Sequence, residues 1–308
     1  MSTCKMGQER KPERMSGSRG TAIGQASPSR SGWIAFWRRF SKNKNGVVGS
    51  LIILGLVVMA LFAPFIGPHS YSDQNLGKSL MPPLQEGLLG TDQFGRDLLS
   101  RLIFGSRASI EVGLIATGIS VLIGTSLGAI AGYLGGWFDY VTEALVSITW
   151  AFPTVLMALF LVSVLGPSLV NVMLAVGLVN WASYTRVVRG QILSLKEADF
   201  VLAARLSGCQ SWRVIFRHLV PNALSPVIVM ASLGMASAIL TEAALSFLGL
   251  GIQPPTPSWG SILADARSFL TMAPWLSIFP GIAIMIAVLG FNLLGDGLRD
   301  VIDPRSRQ

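Results

Sequence analysis

Few residues in this chain have the chemistry of a catalyst. It holds two histidines, His69 and His218, and two cysteines, Cys4 and Cys209. Neither HExxH nor CxxC occurs, so metal and redox chemistry lack their usual residue patterns, and two cysteines imply no disulfide framework. Gly124-Thr125-Ser126-Leu127-Gly128 has the GxSxG spacing of a hydrolase nucleophile elbow. That motif needs a strand-to-helix turn and a histidine base. Here it lies inside an apolar stretch and reads instead as small residues that let two helices approach closely. Gly77-Lys78-Ser79 has the ending of a phosphate-binding loop, but Ser72 stands where the pattern needs Gly. The chain is therefore expected to hydrolyse no nucleotide itself. One acidic residue remains, Glu242, within the apolar run ILTEAALSFLGL. A charge at the centre of a membrane helix costs roughly 2.5–3.5 kcal/mol, and less towards the end. Glu242 should thus face protein or water, either as a helix-packing hydrogen bond or as a pathway or gate residue.

The elements that must position these residues are written in the charges. The chain of 308 residues is 51% hydrophobic and only 13% charged, against about a quarter charged in soluble domains. Asp, Glu, Lys and Arg are missing from 45–72, 112–138, 144–185, 218–241 and 268–295. Each gap exceeds the roughly 20 apolar residues that cross a hydrocarbon layer. The longest is broken by Gly166-Pro167-Ser168, a helix stop followed by an N-cap. The pattern predicts an all-α integral membrane protein with six transmembrane helices, near 47–66, 111–134, 141–165, 168–187, 222–248 and 274–295. Glu111, Asp139 and Glu143 then fall at helix ends, in the interface.

Lys and Arg orient the chain. Ten lie in the first 46 residues, six in 186–221 and three in the C-terminal tail, against four in 67–110 and one in 249–273. Both termini and the 186–221 segment are expected on the cytoplasmic side, with His69 and His218 on opposite sides. The net charge of +8 reflects topology and attraction to anionic lipid, not nucleic-acid binding. Residues 1–32, rich in Ser, Gly, Arg and Lys, are too polar to fold alone and are expected to be a disordered basic cytoplasmic tail. No cleaved secretory signal is read there, because the first apolar run begins too late. In 33–46, Trp33, Phe36, Trp37 and Phe40 alternate with basic residues, as in a helix lying in the membrane interface.

The segment SLKEADFVLAARLSGCQSWRVIFRHLVPN (194–222) is too polar to cross the membrane and too helical to be a loose loop. Ser194 and Glu197 form a capping box that predicts a helix from Leu195, with an apolar side of Leu195, Ala198, Leu202 and Leu206. Gly208 has the place of a left-handed C-terminal cap. Ser211 can cap a second short helix, Trp212 to about Leu219, and Pro221 suits the first turn of the next transmembrane helix. By physics alone this is either a membrane-surface helix without a partner or a rigid element that passes motion to a cytoplasmic partner.

This stretch resembles the EAA loop of ABC-importer permeases, EAA-x3-G-x9-I-x-L-P. Ala203, Ala204, Gly208 and Pro221 keep the spacing; Leu202, His218 and Val220 stand where the pattern has Glu, Ile and Leu. GTDQFGRDLLSRLIFGSRASIEVGL (90–114), LSFLGLGIQPPTPSWGSIL (245–263) and FNLLGDGLRDVIDPR (291–305) are similar to the second permease subunit of dipeptide, oligopeptide and nickel importers. The resemblance spans 33–305. It implies a type I ABC importer permease fold with coupling helices over 195–219, in which Asp199, Ala203, Ala204, Arg205, Gly208, Ser211, Arg213, Arg217 and Pro221 face an ATPase. It implies a second homologous permease, one or two ABC ATPase subunits carrying ATP-Mg, an extracytoplasmic substrate-binding protein, and a bacterial inner-membrane location. The chain itself would bind no cofactor and no nucleic acid. Dipeptides or oligopeptides are the first substrate reading, with nickel, glutathione, opines and glycans behind them. A stand-alone secondary transporter is disfavoured by the scarcity of buried charge.

The external segments read as docking and gating architecture. Gly95 allows a positive φ, Arg96 beside Asp97 can tie down the turn formed by Gly90, Thr91, Asp92, Gly95, Arg96 and Asp97, and IQPPTPSWG is expected stiff and extended, with Trp259 at the membrane interface. For the translocation path the polar and aromatic residues Trp150, Phe152, Asn180 and Glu242 are the candidates.

Overall fold

The computed structural model describes residues 31–302, all helices and connecting turns apart from one isolated bridge between Thr91 and Asp97. The tail expected over 1–32 falls almost wholly outside these residues. Helix α1, Ser31–Phe40, exposes Ile34, Trp37 and the two arginines of its last turn, and buries Phe40. Asn43 then caps α2, Lys44–Leu61, by accepting a hydrogen bond from Gly46 N–H at 2.9 Å. The expected helix over 47–66 ends early. Phe62 interrupts it, and Pro64 opens the one-turn α3, Ala63–Ile66, because proline suits a first turn and not a helix interior.

Helix α4, Leu98–Leu134, begins well before the predicted start at 111. Asp97 caps it, accepting from Ser100 N–H at 2.7 Å. Arg101, Arg107 and Glu111 made its first turns read as loop, but Arg101 is buried in an ion cluster and Glu111 is exposed mid-helix rather than at a helix end. The single span expected over 141–165 is instead two helices, α5 (Gly136–Trp150) and α6 (Thr154–Leu165), bent by 92°. Pro153 causes the break, since it cannot continue the hydrogen-bond ladder and forces the residue before it out of helical geometry. The stop at 166–168 is as expected: Gly166 has φ +88° and Ser168 caps α7, Leu169–Leu195, through Asn171 N–H.

After an excursion between 196 and 219 the chain enters α10, Val220–Phe247, then the short α11, Trp259–Ala266, and finally α12, Trp275–Ile302. Helix α11 is not foreseen from sequence. Ser258 caps it through Ser261 N–H, with Ser261 Oγ accepting in return from Ser258 N–H, so IQPPTPSWG is not extended to its end. Among the described residues, four helical stretches are long and apolar enough to cross a membrane: α2, α4, Ser211–Phe247 and α12; the bent α5–α6 pair makes a fifth if taken as one span. Helix α7 is long enough, but Asn171, Asn180 and Arg186 interrupt its apolar run, and composition alone does not qualify it as the sixth.

Helix α4 is the centre of the bundle and packs most closely on α7. A Cβ on Gly124 would lie 2.5 Å from Tyr184 Cβ, and one on Gly128 2.5 Å from the Thr185 carbonyl oxygen. The GxSxG spacing therefore serves helix contact, as read from the sequence.

Candidate functional site

The first candidate is the excursion between α7 and α10. Helix α8 spans Asp199–Leu206. The predicted capping box does not start it: Ser194 lies in the last turn of α7, which runs on to Leu195, and Ala198 occupies the N-cap without a side-chain bond. Helix α7 continues there because Ile192 is still packed against Gly132 of α4. Gly208 has φ +76°, with open space around the position of a Cβ. Conformation alone therefore requires glycine here. Cys209 N–H then returns to the Ala204 carbonyl at 3.1 Å, satisfying an end of α8.

The second half differs from expectation. Ser211 is not a cap but the first residue of α9, Ser211–Arg213. The helix then widens into a π-helical turn, Val214–Leu219, and passes unbroken into α10, with Val220 N–H bonded to the Ile215 carbonyl five residues back. Pro221 lies in the first turn of α10. Of the nine coupling candidates, Asp199, Ala203, Arg205, Gly208, Ser211, Arg213, Arg217 and Pro221 are exposed and Ala204 is half-buried. The predicted apolar side is turned outward: Leu202 is 56% and Leu206 79% exposed, while Val201 is the residue α8 buries. Trp212 and Phe216 are exposed as well. Arg205 is held by Tyr133, donating to its hydroxyl at 3.2 Å and lying 4.8 Å from its ring centroid.

The second candidate is a cavity of about 260 Å³ between α4, α7 and α10. Asn180 lines it with Thr117, Ser120, Ser183, Tyr184 and Ser237. The Thr117 hydroxyl is buried and has no partner. Met230, Leu233, Gly234 and Ala238 complete the lining, which is apolar over most of its surface, with these polar groups set into it and no charged side chain. Only Asn180 of the four path candidates belongs to it. Trp150 and Phe152 flank the α5–α6 break and are exposed, with the Arg186 guanidinium 4.0 Å from the Trp150 ring centroid. Glu242 is fully buried away from the cavity. The hydroxyl residues were legible in principle, because Thr117 and Ser120 are three apart, and Asn180, Ser183 and Tyr184 share a helical face.

The third candidate is the outer turn before α4. Gly90 and Gly95 both have positive φ, and a Cβ on Gly95 would lie 1.8 Å from the Asn75 carbonyl oxygen. Arg96 does not bind its neighbour Asp97, which is occupied in capping α4. It donates instead to Asp92 at 2.6 Å. Asp92 also accepts from Arg101, and Asp265 lies 3.2 Å from Arg101 and 3.6 Å from Arg96. Asp92, Arg96 and Arg101 are all buried, so two positive and two negative groups balance where isolated charge would be costly. Thr91 accepts from Met81 N–H at 2.9 Å. Trp259 is not at a membrane interface. It is fully buried and donates from Nε1 to the Leu102 carbonyl at 3.0 Å, because the first turn of α11 docks on α4.

A bundle of apolar helices around an uncharged cavity, with a helical excursion exposed at one end, fits a multi-pass membrane component of a transport system. Residues 124–308 match the family described as the binding-protein-dependent transport system inner membrane component, and residues 31–83 match the N-terminal transmembrane domain of oligopeptide transport permease C. A dipeptide transport system permease protein, DppC, of Alkalihalophilus pseudofirmus is 45% identical over 277 residues, covering 90% of this chain and 91% of that protein. The oligopeptide permease OppC of Bacillus subtilis is 40% identical, covering 89% and 92%. The glutathione permease GsiD of Pectobacterium atrosepticum is 39% identical, covering 90% and 92%. The chain belongs to the family of binding-protein-dependent inner-membrane transport components.

Proposed function

We propose that this chain is one of two related permease subunits in an ATP-powered importer of dipeptides or oligopeptides in the bacterial inner membrane, with both termini cytoplasmic and six spans. One or two ATPase subunits, carrying ATP-Mg, would dock on the excursion between α7 and α10, and a substrate-loaded binding protein on the outer face. The chain contributes no nucleotide chemistry of its own. It supplies half of a path and the contact through which hydrolysis moves that path.

The observation that carries this reading is the α8–Gly208–α9 turn. It follows α7 after three residues and runs unbroken into α10, and it presents Leu202, Leu206 and Trp212 outward. Apolar side chains displayed among arginines suit insertion into a groove of a partner protein. The cavity supports the substrate side. An uncharged, largely apolar lining into which hydroxyls and the Asn180 amide are set offers a peptide backbone some hydrogen-bonding groups without selecting for the charge of its side chains.

Reconstitution of this chain with its permease partner, ATPase subunits and binding protein tests the reading. The assembled complex should take up a labelled dipeptide into vesicles in an ATP-dependent manner. A cysteine at Leu206 should cross-link to an ATPase subunit. A complex that assembles but gives only cross-links to lipid or to other permease chains would contradict it.

A further inference from the structure

Glu242 takes no part in the cavity, yet its side chain is fully buried. Its Oε1 accepts two hydrogen bonds at 2.7 Å, one from Ser246 one turn along α10 and one from Ser258. Its Oε2 has no partner. An apolar residue here would avoid leaving a buried oxygen unsatisfied, which is costly. The carboxylate must therefore contribute something that packing alone does not.

What it holds is the first turn of α11. Ser258 caps that helix through Ser261 N–H at 3.0 Å and donates its own hydroxyl proton to Glu242. The next residue, Trp259, bonds from its N–H to Ser109 at 3.2 Å and from Nε1 to Leu102, both on α4. Gly260 allows the approach, since a Cβ there would lie 2.6 Å from Ala243 Cα and 3.2 Å from Glu242 Oε1. The far end of α11 is tied to the outer ion cluster through Asp265. So α11 and the outer turn form one body, and Glu242 is its fastening to α10.

Helix α10 is in turn the upper part of a continuous helix, Ser211–Phe247, of 37 residues, about 55 Å long at 1.5 Å per residue. One end lies three residues beyond Gly208 in the coupling turn. The other end carries Glu242. The π-helical turn Val214–Leu219 runs into α10 without a break, so both ends belong to one continuous helix.

We infer that Glu242 is a positioning residue that clasps the outer end of this helix to Ser258 of α11, so that displacement of the outer surface reaches the coupling turn as movement of one rod. This inference rests on the importer reading. It adds that binding-protein docking and ATP hydrolysis communicate through this chain's α11–α10 contact rather than through the cavity.

The test uses the full reconstituted complex with the dipeptide-loaded binding protein. Three quantities are measured: basal ATP hydrolysis, its stimulation by the loaded binding protein, and binding-protein affinity. Ser258→Gly deletes the clasp hydroxyl while keeping a residue tolerated at a helix N-cap. It should lower the stimulation by about tenfold, the scale of one lost buried hydrogen bond, with basal hydrolysis and affinity unchanged. Ser246→Ala removes only the bond within α10 and should retain the stimulation. Glu242→Gln keeps an acceptor oxygen and should fall between the two. Wild-type stimulation in Ser258→Gly, or equal losses in Ser258→Gly and Ser246→Ala, would overturn the clasp. Absence of dipeptide uptake by the wild-type complex would overturn the importer reading instead, before any variant is compared.

Discussion

Asp92 holds two buried arginines, Arg96 and Arg101, and the consequence of removing it follows from charge alone. Asp92→Ala would leave both guanidinium groups buried, with only the partly exposed Asp265 near them. Removing one member of a buried ion pair costs about 3–5 kcal/mol, so this variant should unfold at a clearly lower temperature in detergent. Asp97→Ala, which removes only a helix cap, should cost about 1 kcal/mol. Equal melting shifts for the two variants would contradict this ordering. At this scale the sequence is unevenly legible. Gly90, Gly95 and Gly208 announce themselves because left-handed backbone favours glycine. Arg101 and Asp265 do not, because they lie 164 positions apart and nothing local marks them as partners. Trp259 was misread because an indole suits both a membrane interface and a buried site with a carbonyl to bond.

The helices show the same division. Apolar length located four of the six expected spans as helical stretches long and apolar enough to cross a membrane, since the absence of charge is a strong local signal. It placed the start of α4 too late, because Arg101 is paired with Asp92 and Asp265, partners that sequence does not display, while Arg107 and Glu111 sit exposed on the helix. It also ran through Pro153, where one residue divides a span into two arms bent by 92°. The Gly124 and Gly128 spacing was legible as helix contact, though not the identity of the partner. That contact gives an element-scale expectation. A Cβ at Gly124 would meet both Tyr184 Cβ and the Trp181 carbonyl oxygen at under 3 Å. Gly124→Ala must push α4 and α7 apart, a change that costs about 1–3 kcal/mol in a packed core. Gly118, on the same helix with open space about it, should accept alanine without loss of assembled protein. Comparable yields of the two variants after detergent extraction would show that the α4–α7 approach is not close.

At the scale of the whole molecule, orientation and coupling are the claims that matter. The distribution of Lys and Arg predicts an orientation with the turn at Gly208 inside. Ser41 and Ser72 are both exposed. A membrane-impermeant thiol reagent added to intact cells should therefore label Ser72→Cys and not Ser41→Cys, and the opposite pattern would invert the topology. The central claim is that the turn at Gly208 connects this chain to its energy source. Because the turn needs a positive φ and has room for a side chain, substitutions there test backbone conformation with little steric confusion. A β-branched residue in that region costs about 1–2 kcal/mol or more, whereas Asn tolerates it. The most direct measurement is dipeptide uptake by reconstituted complexes carrying Gly208→Val or Gly208→Asn, with binding-protein affinity and ligand-stimulated ATP hydrolysis measured on the same preparations. Gly208→Val should insert normally and bind the loaded binding protein with unchanged affinity, yet lose uptake and stimulated hydrolysis, while Gly208→Asn retains most of both. Wild-type uptake by Gly208→Val would contradict the assignment of this turn as the coupling element.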